Sequence, residues 1–115
     1  MQTENITNYI DVNDGVARIM GNKAVYKTLL GSFAKNTYLD QLTQEIEAQD
    51  FEAASRTAHA LKGVSANLSL VKINGQIIKM EAMLKAGQDV RSEIPALKEA
   101  IETTLLFIEQ LSTTL

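Results

Sequence analysis

The sequence predicts an all-α protein, an antiparallel four-helix bundle with a short additional N-terminal helix. Three observations predict it. Apolar residues recur at spacings of three and four along most of the 115 residues, the period of helices that bury one face. Val, Ile and Thr never alternate with polar residues over the length of a strand. Glycine is sparse, and the single proline, Pro95, stands where a helix would begin. Helices of this length, joined by short polar turns, can bury their apolar stripes only against one another.

The first segment, Val12 to Met20, is weakly helical and ends at Gly21. Asn22 then caps a longer helix predicted from Lys23 to about Ala48, with Tyr26, Leu29, Leu30, Phe33, Leu39, Leu42 and Ile46 inward. Gly31 weakens it by ~1 kcal/mol relative to alanine. Asp50 caps a third helix from about Phe51 to Asn67 or Leu68, striped by Phe51, Ala54, Ala58, Leu61 and Leu68. Ser69 is expected to cap the fourth, whose seam is Leu70, Ile73, Ile77, Met80 and Leu84, and Gly87 ends it. Ser92 and Pro95 open the last helix, with Ile94, Leu97, Ile101, Leu105, Ile108 and Leu111 inward. No repeat, low-complexity tract or linker interrupts the pattern, so residues 1–115 read as one domain.

The composition narrows the function classes. Hydrophobic residues at 45% and charged residues at 22% suit a folded globule rather than a disordered chain. The absence of cysteine excludes disulfide frameworks, thiol catalysis and thiolate metal sites, and fits a reducing compartment. The polar, acidic start MQTENITNYIDVNDG leads us to expect no signal peptide. No apolar run approaches the ~18 residues of a membrane span. A net charge of −3 gives little reason to expect nucleic acid, which usually calls for a basic face. We therefore expect a cytoplasmic protein, monomeric, with neither membrane nor nucleic acid as its partner.

Most chemical motifs are missing. Neither Gly15 nor Gly21 leads into the Gly-Lys-Ser/Thr of a phosphate-binding loop. Glu45 and Glu47 do not point together on a helix, so no metal site is expected. Met80 and Met83 read as packing residues. What remains is the one histidine, His59. A lone histidine on a helix is more often a surface or packing residue than a site. At about 100° per residue, however, His59 lies off the buried stripe of its helix. It shares a face with Glu52, Ser55, Arg56, Lys62, Gly63 and Ala66. Ser55, Gly63 and Ala66 are small, which leaves the ring open to something as large as a protein. Lys62 and Gly63 sit at i+3 and i+4 from it, adjacent on the helical surface. Taken singly, Lys62 reads as a solvated lysine and Gly63 as a close helix–helix contact.

Together they form the string His59-Ala60-Leu61-Lys62-Gly63, and here the sequence resembles the histidine-containing phosphotransfer family, whose core pattern is His-x-Leu-Lys-Gly followed by small residues. The stretch AHALKGVSANL, residues 58–68, is similar to that family's signature helix throughout. The likeness extends to the acidic N-terminal turn, to the Tyr-x-x-Leu-Leu-x-x-Phe run from Tyr26 to Phe33, and to the Ala-Gln-Asp-Phe turn before the signature helix. Ser69 departs from it, standing where the family often has glycine.

The resemblance implies a relay. His59 accepts a phosphoryl group from the phosphoaspartate of one receiver domain and passes it to an aspartate of another. Those receivers would belong to a hybrid histidine kinase and a response regulator. Lys62 would balance phosphate charge, and Gly63, Ser55, Arg56 and Ala66 would line the partner surface. Glu81 falls where family members often place a Glu or Gln on the imidazole nitrogen that is not phosphorylated; it also reads as an i,i+4 ion pair with Lys85, worth ~0.2–0.5 kcal/mol. The chain would hold no cofactor or metal of its own, the divalent cation belonging to the receiver. Two alternatives stay open: a histidine domain phosphorylated directly by a chemotaxis-type kinase, and a helical adaptor that is never phosphorylated. A hydrolase using His59 as base is least supported, because no nucleophile or oxyanion site is visible.

Overall fold

The computed structural model describes residues 5–115. The first four residues of the polar N-terminal stretch lie outside them. Six α-helices follow in order: α1 Val12–Ala17, α2 Lys23–Lys35, α3 Leu39–Glu47, α4 Phe51–Asn67, α5 Val71–Lys85 and α6 Ile94–Thr114. Single 3-10 turns stand at Ile6–Asn8 and Arg91–Glu93. No strand occurs among the described residues. The helices form an antiparallel bundle in which α4, α5 and α6 pack side by side. The α2–α3 pair supplies the fourth position, α3 lying on α4 and both lying on α6.

The caps explain why the helices begin where they do. The side chains of Asn22 and Asp50 accept hydrogen bonds from the backbone N–H groups of Val25 and Ala53, at 3.1 and 3.2 Å. Pro95 sits in the first turn of α6, and Gly87 follows α5 with φ +74°. The buried stripes meet in one core that includes Tyr26, Leu30, Leu42, Ile46, Ala58, Leu61, Ile73, Ile77, Met80, Leu97 and Ile101.

Four sequence expectations are corrected. The helix predicted from Lys23 to Ala48 is two helices. Asn36 is extended and Tyr38 adopts φ +67°, with the side chains of Asn36 and Thr37 accepting from the N–H groups of Tyr38 and Leu39. These short polar residues offer the backbone an alternative to the helical ladder, and the chain turns there rather than at Gly31. Secondly, α1 stops at Ala17, short of Met20. Thirdly, Phe51 and Leu29 are not core residues. Phe51, 47% exposed, is the first residue of α4 and lies at the end of the bundle, and Leu29 is 38% exposed.

The fourth correction concerns Ser69. It does not cap α5, which starts after Leu70 without a side-chain cap. Ser69 is buried in a left-handed conformation, φ +56°, inside the tight turn joining α4 to α5. Its hydroxyl donates to the Asp14 carboxylate, and its carbonyl accepts from the N–H of Asp11 at 2.9 Å. Arg18 and Ser69 together hold the Asp14 carboxyl below the usual carboxylate range. A non-glycine residue is tolerated at positive φ because surrounding contacts hold it there. The N-terminal segment thus fastens the turn.

A second fastening comes from Tyr26. Its hydroxyl donates to the carbonyl of Leu68 at 2.6 Å, and burial, aided by Asp11 and Asp14, pushes its pKa up to about 12, so it stays a donor. Gly15 lies against the same ring: a Cβ there would come within 2.4 Å of it. Replacing Tyr26 by Phe removes the donor from a buried carbonyl and should lower unfolding stability by about 1–2 kcal/mol. Urea denaturation measures this, and an unchanged midpoint would show that the bond contributes nothing.

Candidate functional site

His59 stands in the middle of α4, and its side chain is 72% exposed. Its helix is anchored beneath it by Ala58 and Leu61, both fully buried. One turn further, Ser65 and the α5 residue Asn74 pin the backbone. The Ser65 hydroxyl and the Asn74 amide both donate to the carbonyl of Lys62, at 3.1 and 3.2 Å, and Asn74 also donates to the Ser65 oxygen at 3.1 Å. The backbone under the ring is therefore held by more than the helical ladder.

The chemistry is set from α5. Glu81 points its carboxylate across the seam, its side chain only 6% exposed. Oε1 meets the Lys62 ammonium at 2.6 Å; Oε2 meets His59 Nδ1 at 3.1 Å and the Lys85 ammonium at 3.7 Å. Lys62 foremost, and then the bond to His59, hold the Glu81 carboxyl below its ordinary range, although burial pulls the other way. An ionised carboxylate only accepts hydrogen bonds. So the proton of the neutral ring resides on Nδ1, donated to Glu81, and the lone pair on Nε2 faces solvent. The arrangement is an oriented nitrogen nucleophile with an anion behind it and an ammonium beside it.

The structure brings Lys62 and Glu81 together with His59. Glu81 thus contacts both His59 and Lys85, the latter at 3.7 Å. Lys62 is two-thirds buried, and one of its three N–H bonds is committed to Glu81. Gly63 is exposed, and a Cβ built on it meets nothing within 4 Å, so no close helix–helix contact requires glycine there. Ser55 and Ala66 are partly buried at the edges of this face. Arg56 is exposed and pairs with Glu52 at 3.3 Å. Ser65 and Asn74 were not anticipated. The available signal was two polar residues, Asn74 and Glu81, seven apart beside the apolar seam of α5. No cluster of three or more metal-ligating side chains occurs among the described residues, and no helix is long and apolar enough to cross a membrane.

Comparison with known proteins adds one finding. A family model described as Hpt domain matches residues 36–113, from the break before α3 to the end of α6, with His59 and Glu81 inside the match. The comparisons with curated proteins and with solved structures returned no match.

The depressed Glu81 carboxyl makes stability depend on pH. A carboxyl whose folded pKa lies below its unfolded value stabilises the fold above the ordinary carboxylate range, and that gain is lost as pH falls through the depressed value. The stability gap between the natural chain and Glu81→Gln should thus be widest near neutrality and narrow in acid. Urea melts at neutral pH and below pH ~4 test it; a constant gap would mean Glu81 is not held ionised by its neighbours.

Proposed function

The chain belongs to the Hpt domain family, and from that premise we propose that it is a phosphorelay intermediate carrying a phosphoryl group on Nε2 of His59. Histidine phosphotransfer in two-component signalling, in company with receiver domains, follows from membership. The assignment to His59, and the passage from a phosphoaspartate of one receiver to an aspartate of another, are our reading. The observation that carries it is the exposed imidazole whose Nδ1 lies 3.1 Å from the nearly buried carboxylate of Glu81.

In the forward step the Nε2 lone pair attacks phosphorus in line with the bond to the aspartyl oxygen. The N–P bond forms as the P–O bond breaks, and the receiver's carboxylate leaves with the electron pair. The ring gains positive charge without losing its proton. Glu81 lies 3.1 Å from Nδ1, where that charge is shared, and stabilises it electrostatically. In the onward step another aspartate attacks phosphorus and the imidazole departs neutral, its Nδ1–H still on Glu81. No proton enters or leaves in either direction, so the same geometry serves transfer both ways. The two N–H bonds of Lys62 not directed at Glu81 are available to phosphoryl oxygens.

The open surface over Gly63, with Ser55 and Ala66 flanking it, gives a receiver loop room to close on the ring. Arg56 and Glu52 at the rim would tune which receiver docks, since rim charges act on rate and discrimination more than on affinity. On this reading the divalent cation is supplied by the receiver, and the protein works as a monomer in the cytoplasm.

Mixed with a phosphorylated receiver, the natural chain should acquire an adduct that is lost in acid and survives base, and His59→Gln should acquire none. Label retained by the variant would move the site elsewhere. Lys62→Ala should slow transfer at least tenfold, about 1.4 kcal/mol, in a chain that remains fully folded. Its unfolding stability should fall by roughly 1–2 kcal/mol, because a nearly buried carboxylate loses its nearest cation. Unaltered transfer would remove Lys62 from the reaction.

A further inference from the structure

Two buried side-chain oxygens among the described residues lack any hydrogen-bond partner: Oγ1 of Thr104 and Oε1 of Glu45. Thr104 is enclosed between helices in the core. Glu45 is different, because it borders a pocket of about 250 Å³ between α3 and α4, lined also by Tyr38, Gln41, Arg56, Thr57 and Ala60. Its other oxygen, Oε2, accepts only from the neutral amide of Gln41 at 3.2 Å, an amide that also donates to the Thr57 hydroxyl at 3.2 Å. No cation pairs with Glu45 among the described residues; Arg56, the nearest basic residue on the pocket wall, is paired with Glu52. A buried carboxylate oxygen without a donor is costly, and native structures rarely keep one without use.

The pocket's position gives that use a direction. Ala60 adjoins His59 in the chain, Arg56 lies one turn before it, and both are exposed. A protein that brings an aspartyl phosphate to Nε2 of His59 has this flank within the reach of its footprint, since even a small transient interface covers about 500 Å² on each partner. We infer that the pocket between α3 and α4 receives a cationic side chain, lysine or arginine, of the docking receiver domain, with Glu45 as its counter-ion and Gln41 holding the carboxylate in place. The inference rests on the relay reading given above. It assigns partner recognition to α3, a helix that contributes nothing to the chemistry at the imidazole. Oε1, closed to solvent in the free protein, becomes the acceptor when the Glu45 side chain turns toward the incoming cation, and the pocket's volume accommodates the end of a long side chain.

Glu45→Gln keeps the size and shape of the side chain and removes its charge. Transfer from the phosphorylated receiver domains of the host would be measured at low and at high salt. Phosphoramidate, a small phosphoryl donor that needs no docking surface, reports the reactivity of His59 separately. For the receivers that serve the natural chain, the variant should show a second-order transfer rate about tenfold lower at low salt, with a weaker salt dependence. Phosphoramidate should label both chains at equal rates, and the unfolding midpoint should not fall, because the substitution keeps the side chain's shape and leaves no cation without its partner. Receiver transfer with natural rate and salt dependence would overturn the proposal. So would an equal, non-additive loss in Arg56→Met, which would make Arg56 the ion that Glu45 serves. A natural chain labelled by neither receivers nor phosphoramidate would instead overturn the relay reading, and the pocket's role with it.

Discussion

One nearly buried carboxylate organises this protein's reactive face. Glu81 is held ionised by Lys62 and grips His59 through Nδ1, and everything the imidazole can do follows from that grip. A free imidazole shares its proton between two nitrogens and rotates about its side-chain bonds. Here the proton is assigned to the inner nitrogen, the ring is aimed, and the outer nitrogen keeps its lone pair in solvent. The burial of Glu81 makes it effective: its field reaches the ring with little water between, and its cost is met by three cationic or hydrogen-bonding neighbours.

That grip spans two helices, so it depends on their register. The α4–α5 turn is only three residues long, and two distant parts of the chain hold it. Asp11 and Asp14 take the carbonyl and the hydroxyl of Ser69, and Tyr26 takes the carbonyl of Leu68. Asn74, reaching from α5 to the backbone of Lys62, ties the helices again halfway to the site. The N-terminal segment contributes no atom to the reactive face, yet it steadies the turn that sets how α5 meets α4. The family match begins only at residue 36, so Asp11, Asp14 and Tyr26, which supply this fastening from the N-terminal side, lie outside the portion by which the chain is recognised.

The face around the ring combines stiffness below with space above. Ala58 and Leu61 bury the underside of α4, whereas Gly63 leaves an open surface one turn from the histidine. A helical glycine costs about 1 kcal/mol relative to alanine, and no packing contact recovers that here. The flank toward α3 is polar and incompletely satisfied at Glu45, so the surface differs chemically on its two sides.

The linear sequence by itself determined the helical class, the caps at Asn22 and Asp50, the stop at Gly87, and the placement of His59 on an exposed face with Lys62 and Gly63. These follow from local periodicity and from side chains that bond to their own backbone, which act over a few residues. The tertiary structure alone decided the rest. The break at Asn36–Tyr38 is the exception, a local competition between short polar residues and the helical ladder that the continuous apolar spacing concealed. Ser69 became a buried link to Asp14 rather than a cap, and Phe51 fell beyond the end of the bundle. The vacancy at Glu45 exists only because α3 lies against α4. Above all, the sequence places Lys62 and Glu81 nineteen positions apart, and only the packing of two helices makes them neighbours. Periodicity says which face of a helix turns inward; it cannot say which residue of another helix will be waiting there.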